Sequence, residues 1–381
     1  MPIAIPLSLY VHFPWCVRKC PYCDFNSFAI GTHTPPIEAY IERLKADFAS
    51  QKEAAANRPL QSIYIGGGTP SLMRGEDVAA ILDAANDTFG LTPDCEISME
   101  ANPGTIDNAR MVEFAAAGVN RLSIGIQSFE DDKLQTLGRI HGAKEAREAI
   151  EIAQKTFPNF NLDFMYGLPG QTIEELESEI DLALKARSTH LSFYELTIED
   201  GTAFAKKPPA NLPDDDTKAD MQTLIETRLA ERGFRRYEIS GYAKEGFTCR
   251  HNMNYWTFGD YLASGAGAHG KVTRLGTKEA FEIVRFAKPV NPALYLKGEK
   301  GHEIHTAASD LPFEFMLNAL RLTDGVSRTL FSERTGLSLS SIEAPLSKAI
   351  AQGLMVDDFE LFRATPLGLR FLSDLQSLFL N

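Results

Sequence analysis

Apolar positions in the first half of the chain follow two periods that alternate. Short runs rich in β-branched and aromatic residues read as strands over 7–12 (LSLYVH), 62–66 (SIYIG), 96–100 (EISME), 121–127 (RLSIGIQ), 159–166 (NFNLDFMY) and 191–196 (LSFYEL). Helical spacing takes over between them, predicting helices over 37–54, 75–89, 107–117, 143–155 and 172–186. The last opens on Thr172-Ile-Glu-Glu175, whose threonine and glutamate can satisfy each other's orphan backbone amides as a capping box. Strand starts lie roughly 25–55 residues apart, which suits repeated βα units with right-handed crossovers.

Six such units are too few for a closed eightfold barrel and enough for an open one. The predicted fold is α/β, a partial (β/α)6 barrel over 1–235. In such a barrel chemistry collects where strands end. The polar residues obey that rule. Cys16, Cys20 and Cys23 follow the first strand and Gly66-Gly67-Gly68-Thr69 the second. Glu100 and Gln127 end the third and fourth, Asp163 lies within the fifth and Glu195 lies near the end of the sixth.

A Pro/Asp-rich loop (206–216), a helix (217–232) and a strand-like run (236–242) come next. An extension over 236–305 carries HNMNYW (251–256), the turn Gly265-Ala-Gly-Ala-His-Gly270 and a linker-like stretch near 286–310. The segment 306–381 reads as a small winged-helix-like domain of three or four helices with a hairpin-like run at 354–362. Its final helix (367–380) is rich in Leu and Phe, which predicts docking onto its own domain.

Charge narrows the partners. Lys plus Arg is 38 against 51 Asp plus Glu, so the chain carries 38 − 51 = −13 and has no general attraction for nucleic-acid backbones. The segment 306–381 holds six basic and nine acidic residues, which disfavours reading DNA through its winged-helix-like shape. No uncharged apolar run reaches the about 18 residues that suggest a membrane span. The N-terminus lacks the basic start and cleavage site of a signal peptide, so a cytoplasmic location is expected, with reduced thiols.

Five cysteines, an odd number, do not form a disulfide framework. Three of them form Cys16-Val-Arg-Lys-Cys20-Pro-Tyr-Cys23, a C-x3-C-x2-C spacing. Three thiolates on one loop can hold three irons of a [4Fe–4S] cluster and leave the fourth open to an exogenous chelator. A structural zinc would want a fourth ligand, which His12 or His33 could supply. Cys95 and Cys249 stand alone and read as small buried side chains.

C-x3-C-x2-C after a first strand, with Tyr22 before the last cysteine, resembles the radical S-adenosylmethionine enzymes. Tyr10-Val-His-Phe-Pro-Trp-Cys16, Gly66-Gly-Gly-Thr-Pro70, Glu100-Ala-Asn-Pro103, Ser123-Ile-Gly-Ile-Gln-Ser-Phe129 and Asp163-Phe-Met-Tyr-Gly-Leu-Pro169 extend the resemblance to the oxygen-independent coproporphyrinogen oxidase-like branch. Two features divide that branch. Its dehydrogenases carry a further cysteine two positions after the third, where this chain has Phe25. Its heme chaperones carry HNxxYW, which His251-Asn-Met-Asn-Tyr-Trp256 matches in full.

The resemblance implies a [4Fe–4S] cluster on Cys16, Cys20 and Cys23, with S-adenosyl-L-methionine chelated at its open iron. Reduction then cleaves the sulfonium to methionine and a 5′-deoxyadenosyl radical, so the cofactors carry the hard chemistry. Gly66, Gly67, Gly68 and Thr69 would offer backbone carbonyls and amides to the methionyl end, and no GK[ST] follows to make them a phosphate loop. Glu100, Gln127, Arg139 and Asp163 match the family's cofactor contacts; Arg139 suits the ligand carboxylate. Tyr10 and Tyr22 would approach the adenosine or the cluster.

His251 is the expected heme ligand, because a neutral imidazole is a good axial donor and the family links HNxxYW to heme. His269 is a second candidate and Cys249 a third; a structural histidine is the alternative. The implied function is heme binding and transfer to an apo-hemoprotein, with a membrane-bound respiratory cytochrome as acceptor, peripheral inner-membrane contact and a homodimer as further expectations. Anaerobic coproporphyrinogen III decarboxylation is the rival activity.

Overall fold

The computed structural model describes residues 5–275 and 281–380. Strands β1 (Leu7–Phe13), β2 (Leu60–Gly67), β3 (Leu91–Ala101), β4 (Arg121–Gln127), β5 (Phe160–Tyr166) and β6 (His190–Glu195) pair in parallel in that order. Helices α1 (Ile37–Ala55), α2 (Gly75–Phe89), α3 (Asn108–Ala116), α4 (Ala143–Thr156) and α5 (Ile173–Lys185) connect them, and α6 (Asp215–Ala230) follows. These are the six βα units that the periodicity predicts. The capping box at α5 forms, with the Glu175 amide donating to Thr172 Oγ1 (3.2 Å) and the Thr172 amide to Glu175 Oε2 (3.0 Å).

Period-two alternation sorts the strand side chains into two faces. Leu9, Val11, Ile63, Ile65, Met99, Leu122, Ile124 and Phe164 share one core with the helix residues Leu44, Phe48, Val78 and Ile81. Each such side chain, fully buried, contributes about 1.5–3 kcal/mol. The opposite face is polar and aromatic: Ser8, Tyr10 and His12 on β1, Ser62 and Tyr64 on β2, Glu100 on β3, Ser123 on β4, and Asn161 and Asp163 on β5. An inward polar face needs partners, and the interior hydrogen bonds below supply them.

The sheet continues beyond both expected edges. β7 (Arg235–Arg236) and β8 (Gly241–Ala243) form an antiparallel pair beside β6, where one strand over 236–242 was expected. On the other side β9 (Asp260–Ser264) pairs in parallel with β1, followed by antiparallel β10 (His269–Leu275), β11 (Phe281–Ala287) and β12 (His302–His305). The full order is β12-β11-β10-β9-β1-β2-β3-β4-β5-β6-β8-β7. The stretch read as a linker near 286–310 therefore contains the end of β11 and all of β12. β9 (DYLAS) has little strand propensity of its own; pairing with β1 places it.

A buried ion cluster secures this extension. Asp260 accepts from Arg58 (2.7 Å) and Lys271 (3.1 Å), and also from the Thr273 amide and hydroxyl (both 2.9 Å). Asp260 and Lys271 are both buried, and the two cations hold the carboxyl below its usual range against the desolvation that pushes it up. Asp260→Asn would leave two cations buried without a counter-charge, and its expected cost is about 3–5 kcal/mol. A urea unfolding midpoint unchanged from the parent would contradict that.

The C-terminal segment builds a second core from Phe315, Met316, Phe331, Ile342, Phe362, Leu375 and Phe379, which also takes in Tyr237, Phe258 and Ile283 from the sheet extension. Its small strands are Val326–Ser327 and Leu361–Phe362, paired antiparallel, with Met355 bridging Ala364. The hairpin-like run forms locally, with the Val356 amide donating to the Arg363 carbonyl and the Thr365 amide to the Leu354 carbonyl (both 2.9 Å), and Leu361–Phe362 pairs in addition with Val326–Ser327. The expected final helix breaks at Phe371 into Pro366–Arg370 and Leu372–Ser377. Leu375 and Phe379 dock in the second core, while Leu367, Phe371 and Leu380 stay exposed. Among the described residues no helix is long and apolar enough to cross a membrane.

Candidate functional site

The strand ends of the barrel open on a cavity of about 480 Å³. Cys16, Cys20, Tyr22, Cys23, Gly67, Gly68, Thr69, Glu100, Gln127, Arg139 and Asp163 all line it. These residues lie up to 147 positions apart (163 − 16), and the parallel register brings them together. Gly66, Tyr10 and the heme-ligand candidates His251, His269 and Cys249 do not line it. Tyr64, Ser123 and Tyr194 do and were not anticipated. Their signal was available in the strand alternation, because each shares the inward face with an anticipated polar residue.

The cysteine loop is held on several sides. The Arg18 guanidinium donates to the carbonyls of Gly138 (3.0 Å) and Arg139. Gly138 has φ +69°, and a Cβ there would meet Pro21 Cδ at 2.6 Å, so the loop packs flush against this turn. At its far end Asn26 donates to the carbonyls of Ala266 and Val290 (both 2.9 Å) and its own carbonyl accepts from His12 Nε2 (2.8 Å). His12 must therefore carry its proton on Nε2, leaving Nδ1 to accept from the Tyr10 hydroxyl (2.9 Å). His12 thus ties the cysteine loop to β1. Gly267 in the glycine-rich turn is required here, since a Cβ would fall 2.1 Å from the Asn26 amide nitrogen.

The donor set fits an iron–sulfur cluster. Three free cysteines face one cavity, with Cys16 buried and the other two half-buried. Burial pushes the Cys16 and Cys23 thiols up, so their thiolates need a cation in place. A Cβ on Gly68 would lie 2.5 Å from the Trp15 carbonyl and 3.0 Å from Cys16 Sγ, so only glycine leaves the first thiol its room. Among the described residues no three His, Cys, Asp or Glu side chains are already closed around a metal position. His33 is exposed and does not line the cavity, and both His12 nitrogens are engaged, so neither histidine is placed to complete a zinc site with the three cysteines.

The glycine turn differs from the expectation in one respect. The Gly67 amide donates to Glu100 Oε2 (3.0 Å), Gly68 to the Phe13 carbonyl (2.7 Å) and Thr69 to the Trp15 carbonyl (2.7 Å). No amide from 67 to 69 is left for a ligand, and what the turn can offer is carbonyl oxygen, an acceptor suited to an ammonium group. Gly66 acts indirectly. A Cβ there would meet Tyr64 Cε1 at 2.9 Å and Glu100 Oε1 at 3.0 Å, so its bareness admits the Tyr64–Glu100 pair.

Glu100 is the electrostatic focus. Its Oε1 accepts from the Tyr64 hydroxyl (3.0 Å). Burial, and then the charge of Asp163, pushes its carboxyl up to about 7. Asp163 is also raised by burial, although Ser123 and Asn161 donate to it (both 2.8 Å). Among the described residues no cation is bonded to either desolvated carboxyl, which sets the pair for a positively charged ligand. Arg139 reaches Gly125 O (2.9 Å), Cys20 Sγ (3.8 Å) and Tyr22 Oη (3.5 Å), while its Nε is buried with no partner among the described residues. The Arg139 guanidinium lines the cavity, and its charge suits a ligand carboxylate. Gln127 ends β4 at φ +68°, a left-handed conformation that costs a non-glycine residue energy and turns the chain at the cavity.

His251 is elsewhere. It sits on α7 (Arg250–Trp256), which packs against β2, and it is only 1 % exposed. Ser62 donates its proton to Ser8 (2.7 Å), so the 3.0 Å contact between His251 Nδ1 and Ser62 Oγ must be donated by His251. Nε2 then accepts from the Tyr255 hydroxyl (2.9 Å). Burial, with Arg121 nearby, drives the imidazole down to about 3 and keeps it neutral. Both ring nitrogens of the expected heme ligand are thus hydrogen-bonded within the fold, and the ring is buried. Cys249 is equally enclosed, donating toward Glu96 Oε1 (3.5 Å). His269 is exposed.

Residues 10–183 match the Radical SAM superfamily and residues 307–371 the HemN C-terminal domain. The chain is 45 % identical to "Heme chaperone HemW" of Haemophilus influenzae, covering 100 % of both chains. It is 44 % identical to the Escherichia coli protein of that name over 98 % of each, and 34 % to that of Bacillus subtilis over 93 % of each. The solved structure of E. coli coproporphyrinogen III oxidase (HemN) superposes with a TM-score of 0.80 at 20 % identity, covering 98 % of this chain and 90 % of that one; this likeness speaks for the fold alone.

Proposed function

This chain belongs to the radical SAM superfamily, in the family of the heme chaperone HemW, and from that premise we propose that it binds heme and transfers it to an apo-hemoprotein, on a [4Fe–4S]/S-adenosylmethionine scaffold. The observation that carries this over the rival decarboxylase is Phe25. It lines the cavity rim, 58 % exposed, at the position where the dehydrogenase pattern has its fourth cysteine.

In this reading Cys16, Cys20 and Cys23 hold the cluster. When bound, cluster and S-adenosylmethionine together supply one-electron reductive chemistry. Arg139 binds the ligand carboxylate through its guanidinium, which lines the cavity. Glu100, Asp163 and the turn carbonyls receive the ammonium and the ribose hydroxyls, with Gln127 at the same mouth. Tyr22, packed beside Leu137 and Met165, limits water near the adenine. Tyr10 and Gly66 support this site from behind.

Delivery to a membrane-bound respiratory cytochrome, met by peripheral contact with the inner membrane, and a homodimeric state complete the proposal. The exposed Leu367, Phe371 and Leu380 support a contact at the C-terminal end. The 1–235, 236–305 and 306–381 division stands as a proposal about folding units.

Two assays on one anaerobic preparation test the function. A Soret titration is expected to show saturable heme binding. Incubation with coproporphyrinogen III, reductant and S-adenosylmethionine is expected to give no protoporphyrinogen. Sustained decarboxylation without heme binding would reverse the proposal in favour of the oxidoreductase.

A further inference from the structure

The HNxxYW helix and the cavity share a line of contacts that the heme-ligand expectation leaves unexplained. The N-terminal amides of α7 at Arg250 and His251 donate to the Glu96 carboxylate on β3 (3.2 and 3.3 Å). The His251 ring is clamped between Ser62 and Tyr255 by bonds that fix its tautomer. Its face lies on Tyr64, with ring centroids 5.2 Å apart and planes 30° from parallel. Tyr10 stacks on Tyr64 as well, at 6.3 Å. The Tyr64 hydroxyl then reaches forward to Glu100. Such a chain of close-packed rings has little room to slide, because interiors are packed like crystals.

We propose that His251 is a positioning residue for the S-adenosylmethionine site: locked by Ser62 and Tyr255, it holds the Tyr64 ring so that the Tyr64 hydroxyl fixes the Glu100 carboxylate toward the ligand's positive charge. The inference rests on the reading of the cavity given above. It assigns HNxxYW a task at the barrel's inner face, independent of any heme contact. The titratable groups that face Glu100 are Asp163 from β5, Tyr64 from β2, Tyr10 from β1 and Tyr194 from β6. Tyr64 is the one among them that both bonds Glu100 and touches His251.

Equilibrium dialysis of labelled S-adenosylmethionine against the reconstituted full chain, at pH values on both sides of neutrality, tests this. The parent protein is expected to bind with an affinity that rises through a midpoint near neutral pH. Tyr64→Phe keeps the stacked ring and removes the hydroxyl; it is expected to weaken binding about tenfold, the worth of one hydrogen bond to a charged group, and to move the midpoint upward. His251→Ala should move both in the same direction. The double variant should equal Tyr64→Phe alone, since both act through one hydroxyl.

Tyr255→Phe unlocks the imidazole without emptying the core and serves if His251→Ala does not fold; a smaller upward midpoint shift is expected. A merely structural loss would lower the yield of folded protein and leave the midpoint in place. An unmoved midpoint in both the His251 and Tyr255 variants, or additive effects in the double variant, would overturn the assignment. A parent protein that binds no S-adenosylmethionine would instead refute the reading of the cavity.

Discussion

Cys20→Ser is expected to yield folded, colourless protein. Serine nearly reproduces the shape of cysteine, and Cys20 is only half-buried, so the loop ties through Arg18, Asn26 and Gly138 survive. A hydroxyl does not replace a thiolate on iron, so bound iron and sulfide should fall at least about tenfold and the reduced protein should be silent by electron paramagnetic resonance. Binding of S-adenosylmethionine should fall with it, because the chelated iron is lost. The matched controls are Cys95→Ser and Cys249→Ser. Both thiols are buried and pushed up to about 12, mainly by desolvation, and neither lines the cavity. Iron content is expected to be unchanged in both. Retention of iron by the Cys20 variant together with its loss from the Cys249 variant would move the cluster to other residues.

Glu100→Gln is expected to separate stability from binding. The folded protein holds the Glu100 proton up to about pH 7, mainly through burial, whereas an unfolded chain releases it in the ordinary carboxyl range. Between those limits the native state binds the extra proton, so its stability falls as pH rises through the window and stays reduced above it. Glutamine carries no charge to desolvate. It should therefore stabilise the ligand-free protein above neutral pH by about 1–2 kcal/mol, part of the gain being offset by poorer pairing with Tyr64 and Gly67. Binding runs the other way. A cationic ligand favours the carboxylate, so parent affinity should rise by up to about tenfold per pH unit below the midpoint and level off above it. The variant should bind about tenfold to a hundredfold more weakly at alkaline pH, with a flat profile. A sloping profile that persists in Glu100→Gln would assign the proton to Asp163.

The chain by itself determined the βα alternation, because side-chain periodicity is a local consequence of backbone geometry. It also determined the cysteine loop, whose three thiols lie within eight consecutive residues, 16 to 23. The carboxylates and amide at strand ends were legible for the same reason: in a parallel sheet a strand's C-terminal end is a predictable address.

Tertiary structure decided what depends on pairing at a distance. β9 joins the sheet because β1 offers it an edge, and β11 and β12 follow where the local pattern reads as a linker. It decided that the amides of the glycine turn are already used, and that Gly66 leaves space for two other side chains. Above all it decided the hydrogen-bond partners of His251. A histidine among aromatics has the same sequence whether its lone pair is free or spent; Ser62, 189 positions earlier, and Tyr255 spend both ring nitrogens. Hydrogen-bond satisfaction belongs to the folded neighbourhood, and no local pattern encodes it.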